Sequence, residues 1–283
     1  MIKIKTTNIT IILLVLLFCG CTSLKTVNEF ASTSLKSVNK YEDINYSFRI
    51  NCMDDCQNNK LKDLNDNLED CDCRADAKAD SVTKIIYNAV RVYFDGLTNL
   101  SNDELTNYNL DSFSKSLSDN KFGSIRIDQK EAEAYSNISG ILLRAITNGY
   151  RSSRIKEYIK EANEPIKILT EKLGSNLSDN LTGKIEIQKQ KAELTCFKLI
   201  HDTSLSTYEK RRVIKEYFES IEKMQKIEDG ISVYTKGLKK VAEGHQKLYG
   251  NLDKLDKDEL KEQLSQYGNE IKDIITEFNR LGK

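Results

Sequence analysis

Apolar residues along most of this chain recur at steps of three and four, the period of a helix buried on one face. Leu35, Val38, Tyr41, Ile44 and Phe48 begin one stripe, which Cys52 and Cys56 continue. A second runs from Val82 through Ile86, Ala89, Tyr93 and Leu97 to Leu100, and a third joins Tyr135, Ile138, Leu142 and Ala145. Ile155, Ile159, Ala162, Ile166, Leu169 and Leu173 form a fourth, and Leu181, Ile185, Ala192, Cys196 and Leu199 a fifth. The last joins Leu260, Leu264, Tyr267, Ile271, Ile274, Phe278 and Leu281. Lys121–Ile127 departs most clearly from the period and reads as a short strand or an extended loop. The pattern predicts an all-α protein, a helical bundle or a helical array.

Helix boundaries are also written in the chain. Ser101, Asp128, Ser206 and Asp256 each stand three residues before a glutamate, a capping-box spacing that satisfies the orphan N–H groups of a first turn. Gly174 suits a helix stop after Leu173. Pro165, inside the fourth stripe, predicts a kink or a restart of that helix.

Residues 224–255 carry a heptad seam of Met224, Ile227, Ile231, Tyr234, Leu238, Val241, His245, Leu248, Leu252 and Leu255. Gly230, Gly237 and Gly244 recur every seven residues, each just before a seam position. Each glycine costs ~1 kcal/mol against alanine inside a helix. The seam keeps its phase across all three, which favours a close helix–helix contact over a broken helix. The expected partner is the last helix, folded back so that 205–283 forms a long antiparallel helical hairpin. Segment 205–250 would span ~69 Å as a helix.

The amino terminus has a different character. Lys3 and Lys5 precede an apolar run from Ile9 to Phe18, interrupted by Thr10. Ten such residues rise ~15 Å as a helix, half of a ~30 Å hydrocarbon core, so the run fits a secretory h-region better than a membrane span. Phe18-Cys19-Gly20-Cys21 then resembles the lipobox of bacterial lipoproteins. Small Gly20 before Cys21 carries the match, while Phe18 stands where leucine is usual and Cys19 where a small residue is usual. The resemblance implies cleavage of residues 1–20 by signal peptidase II and acylation of Cys21. It covers 21 residues and implies an address rather than an activity. Thr22, in place of an aspartate, resembles the outer-membrane form in Gram-negative hosts. Several acyl chains at ~0.8 kcal/mol per buried CH₂ would hold the protein durably on a bilayer. Residues 21–34, rich in Ser and Thr, read as the lipidated cysteine and a tether, with a partly helical stretch as the alternative. The helical domain is then expected over 35–283.

Seven cysteines divide unevenly. Four cluster as Cys52-x₃-Cys56 and Cys71-x-Cys73. Two close pairs of thiols can form disulfides, hold zinc or remain free. The spacing departs from the two-residue gap of zinc ribbons, and export favours disulfides. Three connectivities are open, of which nested pairing of Cys56 with Cys71 and Cys52 with Cys73 suits a chain that turns back. Cys196 lies on an apolar stripe and reads as a buried free thiol.

Composition adds exclusions. The 283 residues hold 43 basic and 43 acidic side chains, and losing Lys3 and Lys5 leaves the mature chain slightly acidic. A neutral chain lacks the basic field that nucleic acid requires. Two histidines, His201 and His245, sit outside metal-binding and triad spacings, and no phosphate loop, G-x-S-x-G or EF-hand pattern occurs. His245, on the seam, is the one candidate ligand-site residue, with a hydrogen-bonded core histidine as the alternative. Lys210-Arg211-Arg212 and Lys215 form a basic patch in the first turns of a helix, where positive charge opposes the dipole; it reads as a solvated face, with contact to anionic phospholipid or lipopolysaccharide as the alternative.

The expectation is therefore a non-enzymatic, cofactor-free envelope lipoprotein. It would be anchored in membrane lipid through acylated Cys21 and engage an envelope protein partner. A small-molecule, lipid or metal binding module and a periplasmic inhibitor of immunity type are the alternatives.

Overall fold

The computed structural model describes residues 21–62, 71–102, 104, 117, 120–147, 154–255 and 257–281. The signal-like segment, the stretch between Lys62 and Cys71 and the proposed cap Asp256 lie outside the described residues. The fold is all-α. Its helices are α1 (Cys21–Val38), α2 (Phe48–Lys62), α3 (Arg74–Ser101), α4 (Gln129–Thr147), α5 (Ile155–Ser175), α6 (Thr182–Ile200), α7 (Thr207–Tyr249) and α8 (Asp258–Leu281). The non-helical stretch at 121–127 belongs to a two-stranded hairpin, β1 (Asn120–Phe122) and β2 (Ile125–Ile127), with Phe122 opposite Ile125. Gly123 turns it at φ +64°, and a Cβ there would stand 2.2 Å from the Ala75 carbonyl oxygen. Both facts require glycine.

α3 runs through the centre and packs against α1, α2, α4 and α5, while α7 packs against α1, α5, α6 and α8. Ile86, Tyr93, Phe94 and Leu97 of α3 are fully buried, as are Ile159, Leu169, Val241 and Leu248 from neighbouring helices. The periodic stripes of the sequence supply this core.

The stretch read as a tether is instead the first helix of the core. Val27, Phe30, Ala31, Ser34 and Val38 of α1 are buried. Its small Ser and Thr side chains, which suggest a linker, allow close approach. Asn28 donates to the Thr98 carbonyl (2.9 Å) and to the Ser101 hydroxyl (3.0 Å) at the end of α3. The helical domain thus includes residues 21–34, ahead of the expected boundary at residue 35. Ser101 ends α3 rather than starting a helix, and its hydroxyl donates back to the Leu97 and Thr98 carbonyls.

Two other boundaries differ. Gly174 does not stop its helix, because a π-helical turn at Asn176–Leu181 carries α5 into α6. Asn180 and Thr182 side chains donate to the Ser175 and Leu177 carbonyls there (3.2 Å each) and satisfy groups the wider turn frees. The helix also runs through Pro165 without restarting. By contrast, Asp128 with Glu131 and Ser206 with Glu209 form reciprocal caps.

The second half of α7 and α8 form the antiparallel C-terminal hairpin, bridged by Lys240 to Glu270 (3.0 Å) and by Lys236 to Glu277 (3.3 Å), whereas the first half of α7 lies along α6, so the hairpin is shorter than the expected 205–283. The glycine edge, however, chiefly receives α1 rather than α8. A Cβ on Gly244 would stand 2.4 Å from Phe30 Cε2, and one on Gly237 2.7 Å from Ser37 Oγ. Phe30 and Ser37 are seven apart, as the glycines are, so α1 lies antiparallel along α7. Gly230 meets nothing within 4 Å.

Candidate functional site

Three places gather the chemistry-bearing residues. The first is the core around His245. Its ring is 1% exposed and lies edge-on to Tyr93 and Phe94. Nε2 lies 2.6 Å from the Tyr93 hydroxyl and Nδ1 lies 3.2 Å from Asn163 Oδ1. Asn163 donates its amide N–H to Gln246 (3.0 Å), so its oxygen accepts from His245 Nδ1. That leaves Nε2 to accept from Tyr93. Burial pushes the imidazole pKa down to about 3. Both ring nitrogens of this neutral histidine are occupied by protein, so it joins α3, α5 and α7. It holds no free position for a ligand.

An open groove of about 820 Å³ does lie nearby, between α5 and α7. Leu238, Ala242 and Tyr267 line it together with lysines and glutamates from both helices. His245 does not line it, so the groove and the histidine are separate features.

The second place is the stapled end of α2. Cys52 pairs with Cys73 and Cys56 with Cys71, the nested arrangement, with Cα separations of 5.8 and 6.0 Å. Asp80 of α3 caps α2 from outside, accepting from the backbone N–H of Phe48 (2.8 Å) and of Arg49 (3.0 Å). A polar knot then ties α2 to α6. Gln188 donates to the Asn51 carbonyl (2.6 Å) and accepts from Tyr46 (3.3 Å), and Lys191 bridges Asp55 (2.7 Å). These contacts explain how a polar helix with little apolar face stays docked. Among the described residues, no three His, Cys, Asp or Glu side chains are grouped to hold a metal.

The third place is an arm built from α6 and the first half of α7. Its base is closed by Lys189, which pairs with Glu228 and donates to Gln225. From there to Lys223 no residue is buried. Two helices alone cannot enclose their apolar stripes. Val213, Ile214, Tyr217 and Ile221 stay half-exposed, and Leu194, Phe197, Tyr208 and Phe218 stand outward at 61, 60, 77 and 63% exposure. Cys196 is a free thiol here, half-exposed rather than buried, and desolvation raises its pKa. His201, at the tip, is exposed and bonds the Phe197 carbonyl through Nδ1 (2.8 Å).

The arm points away from Cys21. Gly244 and Gly237 of α7 meet Phe30 and Ser37 of α1, so the start of α1 lies at the C-terminal end of α7. The other end of the 43-residue helix is ~63 Å distant.

Sequence reasoning misses this arm because stripe counting cannot tell a covered stripe from an uncovered one. A signal is present in Tyr208, Arg211, Lys215, Phe218 and Glu222, a second three-and-four series off the main seam. The side chains of 21–23 lie outside the described ones, so the geometry at the Cys21 sulfur is not described. No helix among the described residues is long and apolar enough to cross a membrane. The chain matches no known protein-family profile, no curated protein and no solved structure.

Proposed function

We propose that this protein is a bacterial envelope lipoprotein, acylated on Cys21, that acts as a non-enzymatic interaction component. The observation that carries the reading is the uncovered arm. From Lys189 to Lys223 the chain forms helix and turn without one buried side chain, and aromatic groups point outward from it. Four of the eight large hydrophobic residues exposed among the described ones, Leu194, Phe197, Tyr208 and Phe218, fall on this arm, and their concentration there supports a contact surface. The nested disulfides support an oxidising compartment, in agreement with the signal-like amino terminus. Cys21 lies on α1, so acyl chains there would seat the helical body close to the bilayer and hold the arm outward. The outer membrane is the expected address from Thr22 in a Gram-negative host.

Capture of the tagged full chain from detergent-solubilised membranes tests the interaction reading. A stoichiometric protein, either another species or a differently tagged copy of this chain, should be recovered. Recovery of neither in several detergents refutes it.

A further inference from the structure

The outward face of the α7 arm repeats Tyr208, Arg211, Lys215, Phe218, Glu222 and Gln225 at alternating steps of three and four. This is a heptad seam distinct from the half-exposed stripe of Val213, Ile214, Tyr217 and Ile221. All six of its residues are exposed. The face carries charge in two blocks. Lys210, Arg211, Arg212 and Lys215 come first, and Glu216, Glu219 and Glu222 follow.

That order works against the helix itself. Positive groups near the amino end oppose the macrodipole. Arg212 pairs with Glu216 (2.8 Å) and Lys215 with Glu219 (3.5 Å) at i,i+4, with the base on the amino side, the less favourable orientation. Glu222 pairs with Lys226 (2.9 Å) in the favourable orientation, so local stability accounts for that glutamate but not for the basic block or for Glu216 and Glu219. The two blocks are complementary to their own reverse.

We infer that this face pairs with the same face of a second copy of the chain, as an antiparallel two-fold helix pair centred between Lys215 and Phe218. In that register, Arg211 faces Glu222 of the partner subunit, Lys215 lies over Phe218 of the partner subunit, and Tyr208 meets Gln225 of the partner subunit. The two-fold axis makes each of these contacts twice. The lysine stem covers the ring while its ammonium group stays near carboxylates. Both charge blocks are neutralised and Phe218 leaves water. An anionic lipid surface fits less well, because Glu219 and Glu222 share the face with the bases and would be repelled. The inference rests on the interaction reading above and names its partner.

Light scattering on the full chain in detergent micelles, over a wide concentration range, reads the protein mass. The wild type should shift from monomer to twice that mass. Arg211→Glu with Lys215→Glu should stay monomeric, and so should Glu219→Lys with Glu222→Lys. Mixing the two variants should restore the doubled mass, because both halves of the interface become attractive again. The four substituted side chains are exposed, and unchanged circular dichroism checks that the variants fold. A wild type that stays monomeric overturns the pairing, as does a mixture that fails to associate. Flotation of the Cys21→Ser chain, which lacks the acyl anchor, with vesicles rich in anionic lipid, if lost when Arg211→Glu and Lys215→Glu are added, would also overturn it in favour of a membrane contact. A monomer that still captures a stoichiometric protein of another species overturns self-pairing alone and leaves the interaction reading standing. A monomer that captures nothing overturns both.

Discussion

Gly230, Gly237 and Gly244 share one edge of α7 but differ in what lies beside them, and alanine substitution separates those surroundings. In either Gly230→Ala or Gly244→Ala the helix gains ~1 kcal/mol of propensity. At Gly230 a Cβ meets nothing within 4 Å, so that gain should appear as added stability. At Gly244 the new methyl would stand 2.4 Å from Phe30 Cε2 and 2.7 Å from Cζ. Carbon atoms rest at about 3.5–4.0 Å, so the ring must move by roughly 1 Å. Phe30 is 1% exposed and packed within the hydrophobic core. Overpacking of this kind costs about 1–3 kcal/mol. Propensity cancels between the two alanines, so Gly244→Ala should be less stable than Gly230→Ala by about 1–3 kcal/mol. Urea unfolding followed by circular dichroism measures the difference through the midpoints. Adding Phe30→Leu should recover part of the loss at Gly244 and none at Gly230. Equal stabilities of the two alanine variants would refute the seating of α1 on α7, and with it the placement of residues 21–38 in the core.

His245 is held neutral when folded and regains its ordinary pKa of about 6.5 when unfolded, so stability present above that pH should fall as pH drops toward 3. The slope from this one group is at most about 1.4 kcal/mol per pH unit, and a His245→Gln variant should show a shallower acid limb in pH-dependent unfolding. Replacing Cys56 and Cys71 together with serine opens a crosslink of sequence separation 15 and should cost ~3 kcal/mol by denaturant midpoint. Thiol titration of the denatured, unreduced and acylated protein should find one reactive group, Cys196, whereas five would contradict the disulfides. Asp80→Ala leaves the first N–H groups of α2 uncapped and should cost about 1–2 kcal/mol, with the loss of protection in hydrogen exchange concentrated in α2.

The helices of the body are legible in the sequence because a buried face imposes its own period. The stripes from Ile155 to Leu173 and from Leu260 to Phe278 supply buried residues where the spacing places them. Capping residues with a single competing role, Asp128 and Ser206, are legible too. Ser101 is not, since its hydroxyl bonds backward into α3 as readily as it would cap a new helix. The tether reading fails on composition, because Ser and Thr serve linkers and close helix packing alike. The glycine repeat announces a close neighbour but not which one, and the matching seven-residue interval between Phe30 and Ser37 identifies it only in three dimensions. At the candidate site, His245 stands out by its place on the seam, yet its hydrogen-bond partners Tyr93 and Asn163 are far away in sequence. The arm shows in the sequence only as the second series from Tyr208 to Glu222, because exposure depends on what packs nearby, which stripe counting does not encode.

The chemistry of the mature amino terminus bears most directly on the lipoprotein assignment. Mass spectrometry of the amino-terminal peptide from membrane-extracted protein should find a chain that begins at Cys21 with its sulfur acylated, and Cys21→Ser should move the protein out of the membrane fraction. A mature chain that retains residues 1–20, or begins elsewhere without acyl groups, would contradict it.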